Sequence, residues 1–411
     1  MPIFSRSLHY GWVVVFAGLL CLFVSIGLGR MALGMLLPSM GKDIALSYAQ
    51  MGFIGTGNFA GYMIGVLLIG PFCRLVGERR AISLGLLVIS LTMLAVGQAG
   101  GFVSVMVAYL ATGVGSGTSM VATLGLVGHW FSRRLRGKAA GWIITGIGVG
   151  VVFSGIAVPW INAELGDEGW RMGWMLLGGA SLAATALVYG LLRERPSELG
   201  LEPVGAAVAF DEAGSEGIQV APSRGEELRL LAHLGFIYFL FGLTYVIYAT
   251  FIVTTLVEER GYSEALAGRF WIWLGVISLV SGPLFGSLSD RFGRRAGLMM
   301  VFALQTAAYG MAAFDLGGVA MAVSAGLFGI TAWSVPPIMA AATGDYMGPE
   351  RAVTALGALT FIFGIGQVIG PAAAGMLAEH YGGFSSSYLL AATGTALAVA
   401  ATAALKRQPA H

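Results

Sequence analysis

Twelve apolar runs, each about long enough to cross a bilayer as a helix, constrain this chain more than any other feature of its sequence. A spanning helix needs about 20 mainly apolar residues. The runs cover 10–38, 48–72, 80–99, 103–127, 138–161 and 172–192, then 229–255, 265–289, 296–314, 317–341, 352–377 and 384–405. Hydrophobic residues make up 57% of the chain and charged residues 11%. A soluble domain carries roughly 25% charged residues, so this chain cannot coat a globule in water. The bilayer is its natural solvent, and the expected fold class is an all-α membrane protein.

The segment 193–228 separates the two sets of six runs. It is polar and acidic, contains Pro and Gly, and reads as a flexible inter-half linker. The expected organisation is a half at 1–192, a cytoplasmic linker at 193–228 and a second half at 229–411. Of the 23 Lys and Arg residues, eighteen fall in the tails, linker and loops on the side of the chain termini. Four, Lys42, Arg171, Arg260 and Arg269, fall on the other side, and Arg30 falls in neither set. By the positive-inside rule both termini are cytoplasmic, and the first run, too long and followed by others, is not a cleavable signal. The net charge of +2 leaves no nucleic-acid footprint. Cys21 and Cys73 read as small apolar fillers, with neither a disulfide scaffold nor metal spacing.

The two halves repeat one another. The loop after the second run is GPFCRLVGERR (70–80) and the loop after the eighth is GSLSDRFGRR (286–295). An offset of 216 pairs Gly70 with Gly286, Gly77 with Gly293 and Arg79 with Arg295. The same offset pairs Gly141, Gly148 and Gly150 with Gly357, Gly364 and Gly366. Two parallel halves about an axis normal to the membrane are a transporter plan.

These loops resemble the signature of the major facilitator superfamily, G-x-x-x-D-R-x-G-R-R, present twice. The second copy, with Gly286, Asp290, Arg291, Gly293, Arg294 and Arg295, matches closely. The first, with Gly70, Gly77 and Arg79, has Arg74 in place of the aspartate. The resemblance covers essentially the whole chain. It implies twelve helices in two pseudo-symmetric halves, alternating access, a monomer, and a cytoplasmic lock formed by the signature loops. HWFSRRLRGKAAG (129–141) resembles carriers related to the monocarboxylate and oxalate/formate types. GRMALGMLLP (29–38), GNFAGYMIG (57–65) and GLTYVIYATF (242–251) resemble a bacterial subgroup whose substrates are mostly unassigned. The Gly-Pro antiporter motif expected in the fifth run is absent, since Pro159 follows Val158. This makes a multidrug exporter a weaker fit.

Arg30 is the one charge within the first run. A charge at a helix centre costs on the order of 3 kcal/mol on insertion scales, so it faces a wet cavity, finds a partner or snorkels to the interface. Its guanidinium fork suits a carboxylate. Aligning Gly27–Arg30 with Gly242–Tyr245, at an offset of 215, sets Tyr245 opposite Arg30, and Tyr248 lies three residues on, on a shared face. Asn58 and Tyr62 share a face of the second run, and Gln367 precedes the helix-breaking pair Gly370–Pro371. Trp333, Pro336 and Pro337 indicate a kinked tenth run. No Asp or Glu lies near the middle of a run, which argues against a carboxylate proton relay.

The expectation is therefore a secondary or facilitative transporter of a small organic anion, a monocarboxylate, in the bacterial cytoplasmic membrane. Its substrate site would comprise Arg30, Asn58, Tyr62, Tyr245, Tyr248 and Gln367. Its partners would be the substrate and the lipid bilayer, with a coupled proton or counter-anion left open; no cofactor, metal or enzymatic activity is expected. The alternative is an exporter of neutral or amphipathic compounds in which Arg30 is structural. A non-transporting sensor would need a folded extra domain, for which the linker is too short and polar.

Overall fold

The computed structural model describes residues 9–205 and 224–405. Hydrocarbon offers backbone groups no water, so each crossing segment satisfies its own hydrogen bonds as a helix. The first half holds α1 (Gly11–Asp43), α2 (Tyr48–Val76), α3 (Glu78–Gly97), α4 (Phe102–Trp130), α5 (Arg133–Leu165) and α6 (Gly169–Leu191). The second holds α7 (Arg224–Thr254, continued by a π turn over Thr255–Glu259), α8 (Glu264–Ser278 with Ser281–Phe292) and α9 (Arg294–Ala313). It ends with α10 (Gly317–Thr331 with Val335–Met347), α11 (Pro349–Tyr381) and α12 (Ser385–Ala403). Among the described residues, eleven helices are long and apolar enough to cross a membrane, and α8, bent by 43° and taken as one span, brings the number to twelve. The face where α1 begins and α12 ends is called the terminus face below, and the opposite one the far face.

Helix ends follow local chemistry. A capping box formed by Ser47 and Gln50 starts α2. Gly77 and Gly293, at φ +85° and +90°, make the tight turns into α3 and α9, a conformation that an L side chain resists. Added Cβ atoms at Gly70 or Gly286 would meet nothing, so these two signature glycines are not packing devices here.

Small residues bring helices together where lipid gives no hydrophobic drive. A Cβ on Gly61 or Gly65 of α2 would collide with the α4 backbone at Leu110 or Val114, and one on Gly113 or Gly117 of α4 with that of α2 at Asn58 or Tyr62. Gly27 and Gly150 likewise abut between α1 and α5.

The halves meet along α2 with α11, α5 with α8 and α1 with α7. The named contacts lie toward the far face. Asn162 Nδ2 donates to Glu264 Oε2 at 2.6 Å, Ala49 N–H to Glu379 Oε2 at 3.3 Å, and the Tyr48 and Phe384 rings lie 4.9 Å apart. Thr56 Oγ1 donates to Val368 O at 2.7 Å and accepts from Ala372 N–H at 3.1 Å, two groups that a regular α11 would pair with each other.

Two expectations need correcting. Gly370–Pro371 does not break α11, which runs through Pro371 to Tyr381; Thr56 of the other half serves the backbone groups beside the proline. The linker is not flexible from its start. Trp130 Nε1 donates to Arg193 O at 2.9 Å, Val204 N–H to Trp130 O at 2.8 Å and Ser132 N–H to Val204 O at 3.0 Å, so the chain up to 205 is laid onto the first half. The rest of that segment, 206–223, lies outside the described residues, and α7 starts at Arg224, ahead of the expected 229. The tenth run is broken where expected, and the eighth run is bent opposite that break: Ser281 Oγ accepts from Trp333 N–H at 3.0 Å and lies 2.8 Å from Ser334 Oγ.

Candidate functional site

Arg30 lies in a stretch of α1 that leaves the α-helical register. Residues Phe23–Met31 form a π-helix between α-helical Gly11–Leu22 and Ala32–Asp43. π segments are uncommon and gather at functional sites. The Arg30 side chain does not snorkel: only 8% of the residue is exposed.

Its partners come from α2, held close by the glycine contacts with α4. Arg30 Nε donates to Asn58 Oδ1 at 3.3 Å. The guanidinium carbon lies 4.6 Å from the Phe59 ring centroid and 4.4 Å from that of Tyr62. Cation–π contacts of this kind strengthen when desolvated. Asn58 Nδ2 donates in turn to Tyr109 O at 3.1 Å, and Tyr109 Oη donates to Arg30 O at 3.0 Å. Arg30 Nη2 is buried without a hydrogen-bond partner, and among the described residues no carboxylate forms an ion pair with Arg30. An unmade bond from a buried charged donor is expensive.

The second half supplies the other wall. Tyr245 lies within electrostatic reach of Arg30 and of Tyr62. Gln367 Nε2 donates to the Tyr245 hydroxyl, while Gln367 Oε1 is buried without a partner. Tyr245 stacks on Phe241 with centroids 4.9 Å apart and meets Trp333 edge-on at 6.4 Å. A small cavity of about 10 Å³ between the halves touches Arg30, Asn58, Phe59 and Tyr109 on one side and Ala249 and Thr250 on the other. That is room for about one water. Two larger depressions, about 990 and 410 Å³, lie along α2, α3 and α4 and are walled by residues such as Val107, Leu68 and Leu75. They hold no charged side chain and are not the centre of the site.

Five of the six expected residues, Arg30, Asn58, Tyr62, Tyr245 and Gln367, thus come together where the halves meet. Tyr248 does not join them. Its hydroxyl lies 2.8 Å from Ser324 Oγ and its ring stacks on Phe328 at 4.4 Å, inside the second half. Three residues turn a helix by 300°, so neighbouring positions on one face can address different partners. Tyr109 and Phe59 were not expected; their types are ordinary for apolar helices, and only the fold brings them against Arg30.

The signature loops hold their own polar clusters. The Arg79 guanidinium donates to Tyr189 O at 2.7 and 3.1 Å and lies 4.5 Å from that ring. Arg291 covers the Phe292 ring at 5.4 Å. Arg294 pairs with Asp290 and, at 2.7 Å, with Asp345. In the first half Glu78 pairs with His129 Nδ1 at 3.3 Å. Arg74, Glu78 and His129 occupy the repeat positions of Asp290, Arg294 and Asp345. Acid answers base at all three positions. On the terminus face these contacts, like Arg351 with Glu227, each join residues of one half.

A family model described as "Uncharacterised MFS-type transporter YbfB" matches residues 22–404. The chain is 26% identical over 376 residues to the hexuronate transporter of Bacillus subtilis (strain 168), covering 89% of this chain and 87% of that one. Against monocarboxylate transporter 1 of Homo sapiens the identity is 23% over 311 residues, covering 67% and 61%. Among solved structures, a bacterial homolog of the human lysosomal transporter Spinster, inward-facing and unoccupied, superposes with a TM-score of 0.74 at 17% identity and covers 97% of both chains.

Proposed function

The chain belongs to the major facilitator superfamily of membrane transporters, and we propose that it carries a small organic anion, a monocarboxylate, by alternating access. Arg30 orients the carboxylate, with Asn58 and Tyr62 from its own half and Tyr245 and Gln367 from the other. The observation that carries this reading is a buried guanidinium within the first membrane-spanning helix, with Nη2 unpartnered and, among the described residues, no carboxylate paired to it. A substrate carboxylate supplies the missing acceptor and charge. The hexuronate and monocarboxylate carriers among its relatives support an anionic substrate.

With the terminus face cytoplasmic, as the charge bias argues, the described state is closed to the outside by the far-face contacts. Substrate would then enter or leave through the terminus face. The signature residues Gly70, Gly77, Arg79, Gly286, Asp290, Arg291, Gly293 and Arg294 form the lock that closes that face in the other half of the cycle.

The test is uptake into proteoliposomes of labelled lactate, pyruvate, benzoate and glucuronate beside neutral solutes. Arg30→Ala is expected to remove carboxylate uptake, and Arg30→Lys to keep a part of it, since an ammonium retains the charge but loses the fork. Full carboxylate uptake by folded Arg30→Ala would refute the reading. It would favour the second one, an exporter of neutral or amphipathic compounds. For that reading the support is that Arg30 already has Asn58, Phe59 and Tyr62 as protein partners.

A further inference from the structure

We infer that Tyr109 and Ser116 of α4 are positioning residues that hold α1 in its π register and so aim Arg30 at the cavity; the transport part of the inference rests on the proposed carboxylate site. A π-helix bonds each N–H to the carbonyl five residues back and is normally limited to a single turn. Here it extends over nine residues, Phe23–Met31, so outside contacts are needed to favour it. Two hydroxyls of α4 reach its carbonyls. Ser116 Oγ shares its one proton between Ser25 O at 2.7 Å and Thr112 O of its own helix at 2.9 Å, and Tyr109 Oη donates to Arg30 O at 3.0 Å. They are seven residues apart, on one face of α4. Ser25 O and Arg30 O are five apart, the span of one π hydrogen bond, so the two hydroxyls sit at the two ends of one such turn.

Both hydroxyls are enclosed: Ser116 is fully buried and Tyr109 is 1% exposed, so neither bond has water as a substitute. The π stretch also fits its surroundings closely. Gly27 abuts Gly150, and a Cβ on Gly29 would crowd Val24 O and Ile89 while just touching Ser116 Oγ. Arg30 is then fixed twice over. Its backbone is held by the Tyr109 hydroxyl, and its side chain by Asn58, which itself donates to Tyr109 O. Relaxing the π stretch to α would change the number of residues per turn. It would rotate Arg30 about the α1 axis, away from Asn58 and the rings of Phe59 and Tyr62.

The experiment compares wild type, Tyr109→Phe, Ser116→Ala and Arg30→Lys in lipid nanodiscs and proteoliposomes. The first readout needs no substrate: hydrogen–deuterium exchange of the amides of 23–31, with α12 as the internal control. Tyr109→Phe and Ser116→Ala are each expected to speed exchange in 23–31 several-fold while leaving α12 unchanged. The second is uptake of whichever of lactate, pyruvate, benzoate or glucuronate the wild type takes up fastest. Tyr109→Phe loses one buried hydrogen bond and is expected to raise KM about two- to tenfold at unchanged Vmax. In the Arg30→Lys background that rise should vanish, because Tyr109 acts through Arg30. Unchanged exchange in 23–31 for both α4 variants overturns the inference, as does an equal KM rise with and without Arg30. If the wild type carries none of the four probes, the carboxylate reading fails while exchange still decides the role of α4.

Discussion

Arg30 is surrounded by groups that steady it without neutralising it. One amide oxygen accepts from Nε, two ring faces cover the guanidinium, and Nη2 stays open. The two tyrosines of α7 make the sharpest contrast at this scale. Tyr245 is bonded to Gln367 beside Arg30, whereas Tyr248 is bonded to Ser324 in the interior of the second half. On the proposed reading, Tyr245→Phe is therefore expected to raise the KM for the substrate about two- to tenfold, the worth of one hydrogen bond. Tyr248→Phe should leave KM unchanged and cost about 1 kcal/mol of stability through its lost bond to Ser324. Uptake kinetics and thermal unfolding of the purified variants check both, and a KM effect confined to Tyr248→Phe would contradict the placement.

At the scale of elements, the signature loops show how one repeat can carry opposite chemistry. Asp290, Arg294 and Asp345 form a cluster in which a base stands between two acids. Their repeat partners Arg74, Glu78 and His129 set an acid between two bases, with Glu78 on His129. Glu78→Arg alone would gather cationic side chains around one turn, and slower uptake is the expected result. Restoring the order of the second half with Arg74→Asp on top of Glu78→Arg should recover part of the rate, because the new Asp–Arg pair is spaced four residues apart, as Asp290 and Arg294 are. Initial uptake rates of the three proteins at equal reconstitution decide it; a double variant slower than Glu78→Arg would sink the idea.

For the whole molecule, the far-face contacts and the separate clusters of the terminus face describe one side closed and the other held within each half. Alternating access requires the far-face contacts to part in each cycle. Asn162 and Glu264, bonded across the halves, are placed to test this. With Cys21 and Cys73 replaced by alanine, Asn162→Cys and Glu264→Cys should be bridged by a short bis-methanethiosulfonate. Uptake should then fall to background and return on reduction. Bridged protein that still transports would exclude motion at this contact.

The sequence by itself determined the number of spans, the all-helical class, the paired halves and the one charge out of place. These follow from run length, composition and offset, which are properties of the chain read locally. Even the close match of the second signature loop needed only residue types in order. The tertiary structure alone decided where Arg30 points, because that depends on a π register supported by hydroxyls of α4, some 80 to 90 positions along the chain. It also separated Tyr245 from Tyr248, carried α11 unbroken through Pro371 and fastened the start of the linker to the first half. In each case the deciding bond is donated or accepted by another helix. A helix's own sequence sets its periodicity, but its rotation, its register and the fate of an unpaired backbone group are fixed by what its neighbours offer.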